Sequence, residues 1–331
     1  MTKRSWNIVA DIGGTNARFA VADRHTPALH CVQRYSVAEH AQFADALAHF
    51  LADVGRDGHW AALPTAACFA LACPVDGDRI RFTNSPWQID RGELRAQLQQ
   101  APVELINDFA AVGYAVTDLE PQQWLDIRAG VPLPTAPIVV LGPGTGLGVC
   151  TVVPVAEGFQ VLAGEGGHVD FGAIDAVDVQ VFEVLRARFG RVSAERILSG
   201  SGIESVYTAL AQIGGRQAQR SDAADIVAAA IAHSDPLAVE TLQLFCRTLG
   251  SVAGNLALTL GAKGGVYIAG GIVPRFIEFF RSSGFVERFL AKGRFESYLA
   301  EIPLRLITKD DLGLAGAEKK LALLGLSERP L

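Results

Sequence analysis

Short apolar runs separated by polar turns occupy the first hundred residues, at positions 7–10, 18–22, 66–72, 79–83 and 103–106. Among them Phe43, Leu47, Phe50, Leu51 and Val54 recur at i, i+4 and i+7 spacing, which predicts a helix over about 38–54 with one buried face. Ser36 followed by Glu39 reads as a capping box at its start. Runs of strand length alternating with helical periodicity predict an α/β fold. The pattern loosens over 110–135, where Pro121, Pro132 and Pro134 break any long element, so a domain boundary is expected there. Two more apolar runs follow at 138–141 and 149–153, after which helical segments dominate (175–188, 203–212, 223–233, 236–260). Strands at 266–269 and 303–307 and a closing helix over 314–324 complete the expectation.

Two glycine-rich turns lie between paired apolar runs. The first is Asp11-Ile12-Gly13-Gly14-Thr15-Asn16-Ala17-Arg18, and the second is Gly142-Pro143-Gly144-Thr145-Gly146-Leu147-Gly148. Glycine has no Cβ, so it can take φ > 0 and lets successive backbone N–H groups converge on an anion; Thr15 and Thr145 add hydroxyls. Neither turn carries the Gly-Lys-Ser/Thr of a P-loop or the spacing of a dinucleotide-binding helix. A single Gly-Gly turn reads more simply as a tight hairpin. Two at corresponding places favour phosphate binding.

With 331 residues, half of them hydrophobic, the chain can bury the cores of roughly two domains. A formal charge of −6 and the absence of any Lys/Arg-rich block argue against a nucleic-acid or membrane-surface partner. No signal-peptide pattern and no run of ~18 apolar residues is present, so a cytoplasmic protein is expected. The five cysteines (Cys31, Cys68, Cys73, Cys150, Cys246) are scattered without a C-x-x-C pair, which suits buried thiols rather than disulfides or zinc.

Four segments carry candidate chemistry. Asn107 and Asp108 follow the apolar run at 103–106, the end of a strand that faces ligands in open α/β sheets. Either could simply N-cap the next helix, and Asp108 could also act as a base. Glu165, His168 and Asp170 crowd a loop that its glycines make flexible; their spacing suits a hydroxyl-rich ligand better than zinc. Glu195, beside Arg196, reads alone as a solvated helix face. Gly270-Gly271 ends a buried strand and could bed a flat ring such as adenine.

Together these segments, with Ala72-Cys73-Pro74, Thr83-Asn84, Trp87, Gly254-Asn255 and residues 192–200, resemble the ATP-dependent glucokinases of bacteria, within the sugar kinase, actin and heat-shock chaperone ATPase superfamily. The resemblance spans nearly the whole chain. It implies two ribonuclease-H-like (actin-like ATPase) α/β domains around a central cleft: a small one of residues 1–112 plus a C-terminal helix at about 308–331, and a large one of 113–307. It implies transfer of phosphate from ATP to the 6-hydroxyl of D-glucose, with Mg²⁺. Asn107, Asp108, Glu165, His168 and Glu195 would hold the sugar, Asp108 as catalytic base. Ala10, Asp11, Ile12, Gly13, Gly14, Thr15, Gly144, Thr145 and Gly146 would hold the phosphates, and Gly270 and Gly271 the adenosine. Asp11 would meet the metal directly or through water. A homodimer is implied. Pro143 and Ser201 depart from the family's usual Ala and Pro, which points to altered nucleotide affinity. A kinase for another hexose and a sugar-sensing protein without turnover are the alternatives.

Overall fold

The computed structural model describes residues 3–82 and 85–328; Thr83 and Asn84, which belong to the resemblance, lie outside the described residues, as do the last three of the expected closing segment. The chain folds as two compact units, one of residues up to Leu119 together with those from Lys309 onward, the other running from Glu120 to Thr308.

The first unit contains β1 (Trp6–Ile12), β2 (Asn16–Asp23), β3 (Leu29–Ser36), α1 (Phe43–Asp57), β4 (Ala67–Leu71), β5 (Arg79–Arg81), β6 (Gln88–Asp90), α2 (Arg91–Gln97), β7 (Val103–Asn107) and α3 (Asp108–Val116). Its main sheet has the order β3-β2-β1-β4-β7, with an antiparallel meander β1-β2-β3 and parallel neighbours β1, β4 and β7. The central strands are buried on both faces, which is why they read as continuous apolar runs. Ile8, Ala10 and Ile12 share one core with α1, where Phe19 stacks on Phe43 and Phe50 at centroid distances of 6.0 and 5.4 Å. Val9 and Asp11 point the other way. In register, Ile12 lies beside Leu71 and Leu71 beside Asn107, so the β1–β2 turn and the start of α3 share the carboxyl edge of the sheet.

The helix expected from residue 38 starts later. Ser36 is committed to β3, where it pairs with Asn16, and Val37–Glu39 forms a 3-10 turn with no side-chain cap. The capping box belongs to Gln42 and Asp45 instead.

The second unit contains β8 (Trp124–Arg128), β9 (Ile138–Pro143), β10 (Leu147–Val155), β11 (Gly158–Gly164), α4 (Ala176–Phe189), α5 (Gly200–Ile213), α6 (Ala223–Ile231), α7 (Pro236–Leu260), β12 (Gly265–Ile268), α8 (Ile277–Arg281), α9 (Phe285–Leu290), α10 (Glu296–Ala300) and β13 (Leu304–Ile307). The sheet order is β11-β10-β9-β12-β13-β8. Its first five members repeat the first unit's arrangement: β9-β10-β11 is the meander, and β12 and β13 are the parallel neighbours. The two glycine turns therefore occupy equivalent hairpins. Helix α7 begins at the N-cap Asp235, with Pro236 in its first turn, and ends at Gly261 with φ 61°. It crosses α9 closely, since a Cβ on Gly250 would lie 2.1 Å from the carbonyl oxygen of Phe285.

The chain returns to the first unit as α11 (Leu312–Leu323), which packs on α3, β1 and β4. Among the described residues no helix is long and apolar enough to cross a membrane. All five cysteines are free thiols, four of them buried.

Candidate active site

In the first unit, the turn joining β1 to β2 is closed by Gly13 N–H donating to Asn16 O at 2.9 Å. Thr15 O accepts from Val37 N–H, which ties the turn to the end of β3. The N–H groups of Gly14 and Thr15 have no partner among the described residues, and Thr15 is exposed. Neither Gly13 nor Gly14 has positive φ, contrary to the role expected of them; the turn needs backbone free of side chains rather than left-handed geometry.

Asp11 stands opposite Arg18 across the β1–β2 ladder, and Arg18 Nη2 meets Asp11 Oδ2 at 2.5 Å. The other arm of Arg18 pairs with Asp311. Asp311 precedes α11 in a left-handed conformation (φ 57°), and two residues on a Cβ at Gly313 would come 2.6 Å from the Asp11 carboxyl carbon. Burial pushes the Asp11 carboxyl above its usual value; Arg18 pulls it back, and Asp311 adds to the rise. Arg18 and Asp311 escaped the sequence reading. Arg18 closes the conspicuous motif, but its partner lies 293 positions away.

At the same sheet edge Asn107 is the N-cap of α3, its Oδ1 accepting from Phe109 N–H at 2.9 Å and Ala110 N–H at 3.2 Å. The capping role thus falls to Asn107, which leaves its amide nitrogen to donate. Asp108 begins the helix, and its Oδ1 accepts from Phe109 N–H at 2.8 Å. Burial raises the Cys73 thiol to about 11, and the nearby Asp108 charge adds to the effect.

In the second unit, the β9–β10 turn is closed by Gly144 N–H donating to Gly146 O at 2.8 Å. Thr145 and Gly146 keep their N–H groups without a partner among the described residues. Pro143 ends β9 before the loop, so its missing donor is not one of these two. Gly270, with φ 83°, packs so closely on this hairpin that a Cβ would sit 2.5 Å from Pro143 O; Gly271 beside it has open space.

Glu165, His168 and Glu195 come together beside that turn. His168 Nε2 is 3.9 Å from Glu165 Oε2, and its Nδ1 is 4.0 Å from Glu195 Oε1. Glu195 is not on a solvated helix face: it lies in a 3-10 turn and its Oε2 accepts Leu147 N–H at 2.8 Å. The loop from Glu165 to His168 is not loosened by its glycines. A Cβ on Gly166 would come 2.9 Å from the Val149 side chain, and one on Gly167 2.2 Å from Leu147 O, so both are needed for the turn to press on β10. Asp170 leaves the cluster and pairs with Arg191 at 2.7 Å.

A family model described as Glucokinase matches residues 8–323. The chain belongs to the glucokinase family. The glucokinase of Hahella chejuensis is 41% identical over 321 residues, covering 97% of this chain and 98% of the relative. That of Paramagnetospirillum magneticum is 44% identical over 313 residues, with 93% and 96% covered. Among solved structures, a glucokinase from an Antarctic psychrotroph has a TM-score of 0.86 at 36% identity, covering 97% of this chain and 100% of the other. Glucokinase-family membership makes the chain a sugar kinase of the actin-like ATPase fold, in keeping with the strand order repeated in its two units.

Proposed function

We propose that the chain transfers the γ-phosphoryl group of ATP to the 6-hydroxyl of D-glucose, giving glucose 6-phosphate and ADP. The observation that carries this reading is the pair of equivalent hairpin turns, each offering two open backbone N–H groups and an exposed threonine. Such donors suit phosphate oxygens and add no positive side chain, in line with the net charge of the chain.

In this reading Gly14 and Thr15 of one turn and Thr145 and Gly146 of the other hold phosphates, and the open face of Gly271 takes the nucleoside. Phosphoryl transfer asks a protein chiefly to align the attacking oxygen and to stabilise charge on the transferring group. Asp108 accepts the proton of the 6-hydroxyl and aims that oxygen. The Asn107 amide nitrogen donates to a sugar hydroxyl, while Glu165 and Glu195 accept from others and His168 does either by tautomer. A site that matches each hydroxyl rejects analogues lacking one, because its own groups would be left unpaired.

Mg²⁺, when bound with the nucleotide, supplies charge neutralisation on the phosphates. No group of three or more metal-ligating side chains occurs among the described residues, which suits a cation held mainly by phosphate and water. Asp11 fits a single contact with it, since Arg18 occupies Oδ2 and Oδ1 has no partner among the described residues. The same reading places the protein in the cytoplasm as a homodimer, by likeness to the family. A coupled assay tests the activity: purified protein with ATP, Mg²⁺ and glucose should release ADP only when glucose is present. Absence of glucose-dependent ADP rejects the proposal, and faster turnover of mannose or an N-acetylated amino sugar redirects it.

A further inference from the structure

One short segment grips the second unit's turn at both ends. Glu195 Oε2 accepts Leu147 N–H at 2.8 Å on one side, and Gly200 N–H donates to Gly144 O at 3.0 Å on the other. Ser199 braces the segment internally: its Oγ donates to Glu195 O at 2.8 Å and accepts Gly202 N–H at 3.0 Å. A Cβ on Gly146 would lie 2.5 Å from Glu195 Oε2, so glycine there leaves room for the carboxylate. The second oxygen, Oε1, faces His168 Nδ1 at 4.0 Å.

We propose that Glu195, besides contacting the sugar, is a positioning residue for the phosphate turn, and that it couples sugar occupancy to nucleotide binding. The inference rests on the glucokinase reading for the identity of the two ligands. Its physical basis is a division of labour within one carboxylate. Oε2 fixes the closing N–H of the turn, so Thr145 and Gly146 present their donors in a set direction; Oε1 belongs to the sugar cluster. A hydroxyl donated to Oε1 fixes the plane of the carboxylate, and with it the bond to Leu147. The turn is then ordered before nucleotide arrives, and the nucleotide binds more tightly by the amount of ordering already done.

Calorimetric titration of the full-length chain with AMPPNP and Mg²⁺, first without sugar and then with saturating glucose, tests this. Removing a hydrogen bond to a charged group should weaken sugar-free AMPPNP binding about tenfold in Glu195→Ala. His168→Ala, which alters the sugar cluster without touching the turn, should stay within about twofold of the parent. Glu195→Gln keeps an oxygen for Leu147 N–H but turns an amide nitrogen, which cannot accept a hydroxyl proton, toward the sugar, so it should retain sugar-free affinity and lose the tightening by glucose. Hydrogen exchange at the Leu147 amide should rise in Glu195→Ala with no ligand present. Parental AMPPNP affinity in Glu195→Ala overturns the inference, as does an equal loss in His168→Ala, a glucose effect preserved in Glu195→Gln, or unchanged exchange at Leu147. A parent that binds no AMPPNP overturns the ATP reading and the inference with it; a parent that binds while Glu195→Ala is indifferent overturns the inference alone.

Discussion

At Gly167 an added methyl group would come 2.2 Å from the carbonyl oxygen of Leu147. Gly167→Ala is therefore expected to lift the turn carrying Glu165 and His168 away from β10 and to raise KM for glucose at least about tenfold, with thermal stability lowered by the strain. A flexible loop would accept alanine with no change in either measurement. Asp108→Asn makes a different prediction: kcat should fall by about 10²–10⁴, the usual worth of a positioned base, while glucose affinity by calorimetry changes little. Near-normal turnover in that variant would reject Asp108 as the base. At this scale the sequence marked candidate positions more readily than it showed what surrounds them. Asp108 stood out because it follows an apolar run, and His168 because acidic residues crowd the same glycine-rich loop. The reasons for the glycines were hidden, because a close approach to a strand is made by residues such as Leu147 that lie far along the chain. The partnership of Arg18 with Asp311 was invisible for the same reason.

Among the elements, the crossing of α3 and α11 is fixed by Gly316, where a Cβ would lie 1.7 Å from Ala111 O. Gly316→Ala should destabilise the first unit by about 3 kcal/mol, read as a lower urea midpoint, since neither helix backbone can shift without disturbing β1 and β4 beneath. Helix α7 depends on Asp235. Burial alone would raise that carboxyl, but the Tyr207 hydroxyl, the Leu237 and Ala238 N–H groups and Arg220 outweigh it and hold it below the usual 3.8. A depressed carboxyl stabilises the fold above its unfolded value and loses that effect as pH falls through the folded one. Asp235→Ala should thus cost about 2 kcal/mol near neutrality, a difference that shrinks in acid. Elements with buried faces were legible: β1, β4 and β12 appear as apolar runs, and α7 was anticipated over its full length. The edge strands were not. β3 alternates half-buried and exposed side chains and carries Cys31 in a left-handed conformation (φ 48°), while β11 is exposed along most of its length. Neither presents the hydrophobic signal that central strands do. The short helices α8 to α10 hold too few turns for periodicity to register.

For the molecule as a whole, the decisive feature is that α11 completes a unit whose first segment ends at Leu119, with the whole second unit between them. Its Leu314, Ala317, Leu321 and Ala322 are buried. A chain ending at residue 308 should show cooperative unfolding from its continuous second unit only, and circular dichroism with urea would reveal the missing transition; two full transitions would contradict this account. The family was readable only from many short segments taken together along the chain, among them the two glycine turns, which the duplicated strand order sets in equivalent hairpins. The lending of the last helix was foreshadowed only by likeness to the family. Its consequence belongs to synthesis. At ~5–20 residues per second a ribosome needs roughly ten to forty seconds to pass from residue 119 to residue 309. Throughout that interval the sheet face and the side of α3 that await α11 stay open to water, whereas the continuous second unit can close once β13 has emerged, ahead of α11. The nascent N-terminal half is then the segment on which chaperones should act, and the order of folding runs opposite to the order of translation.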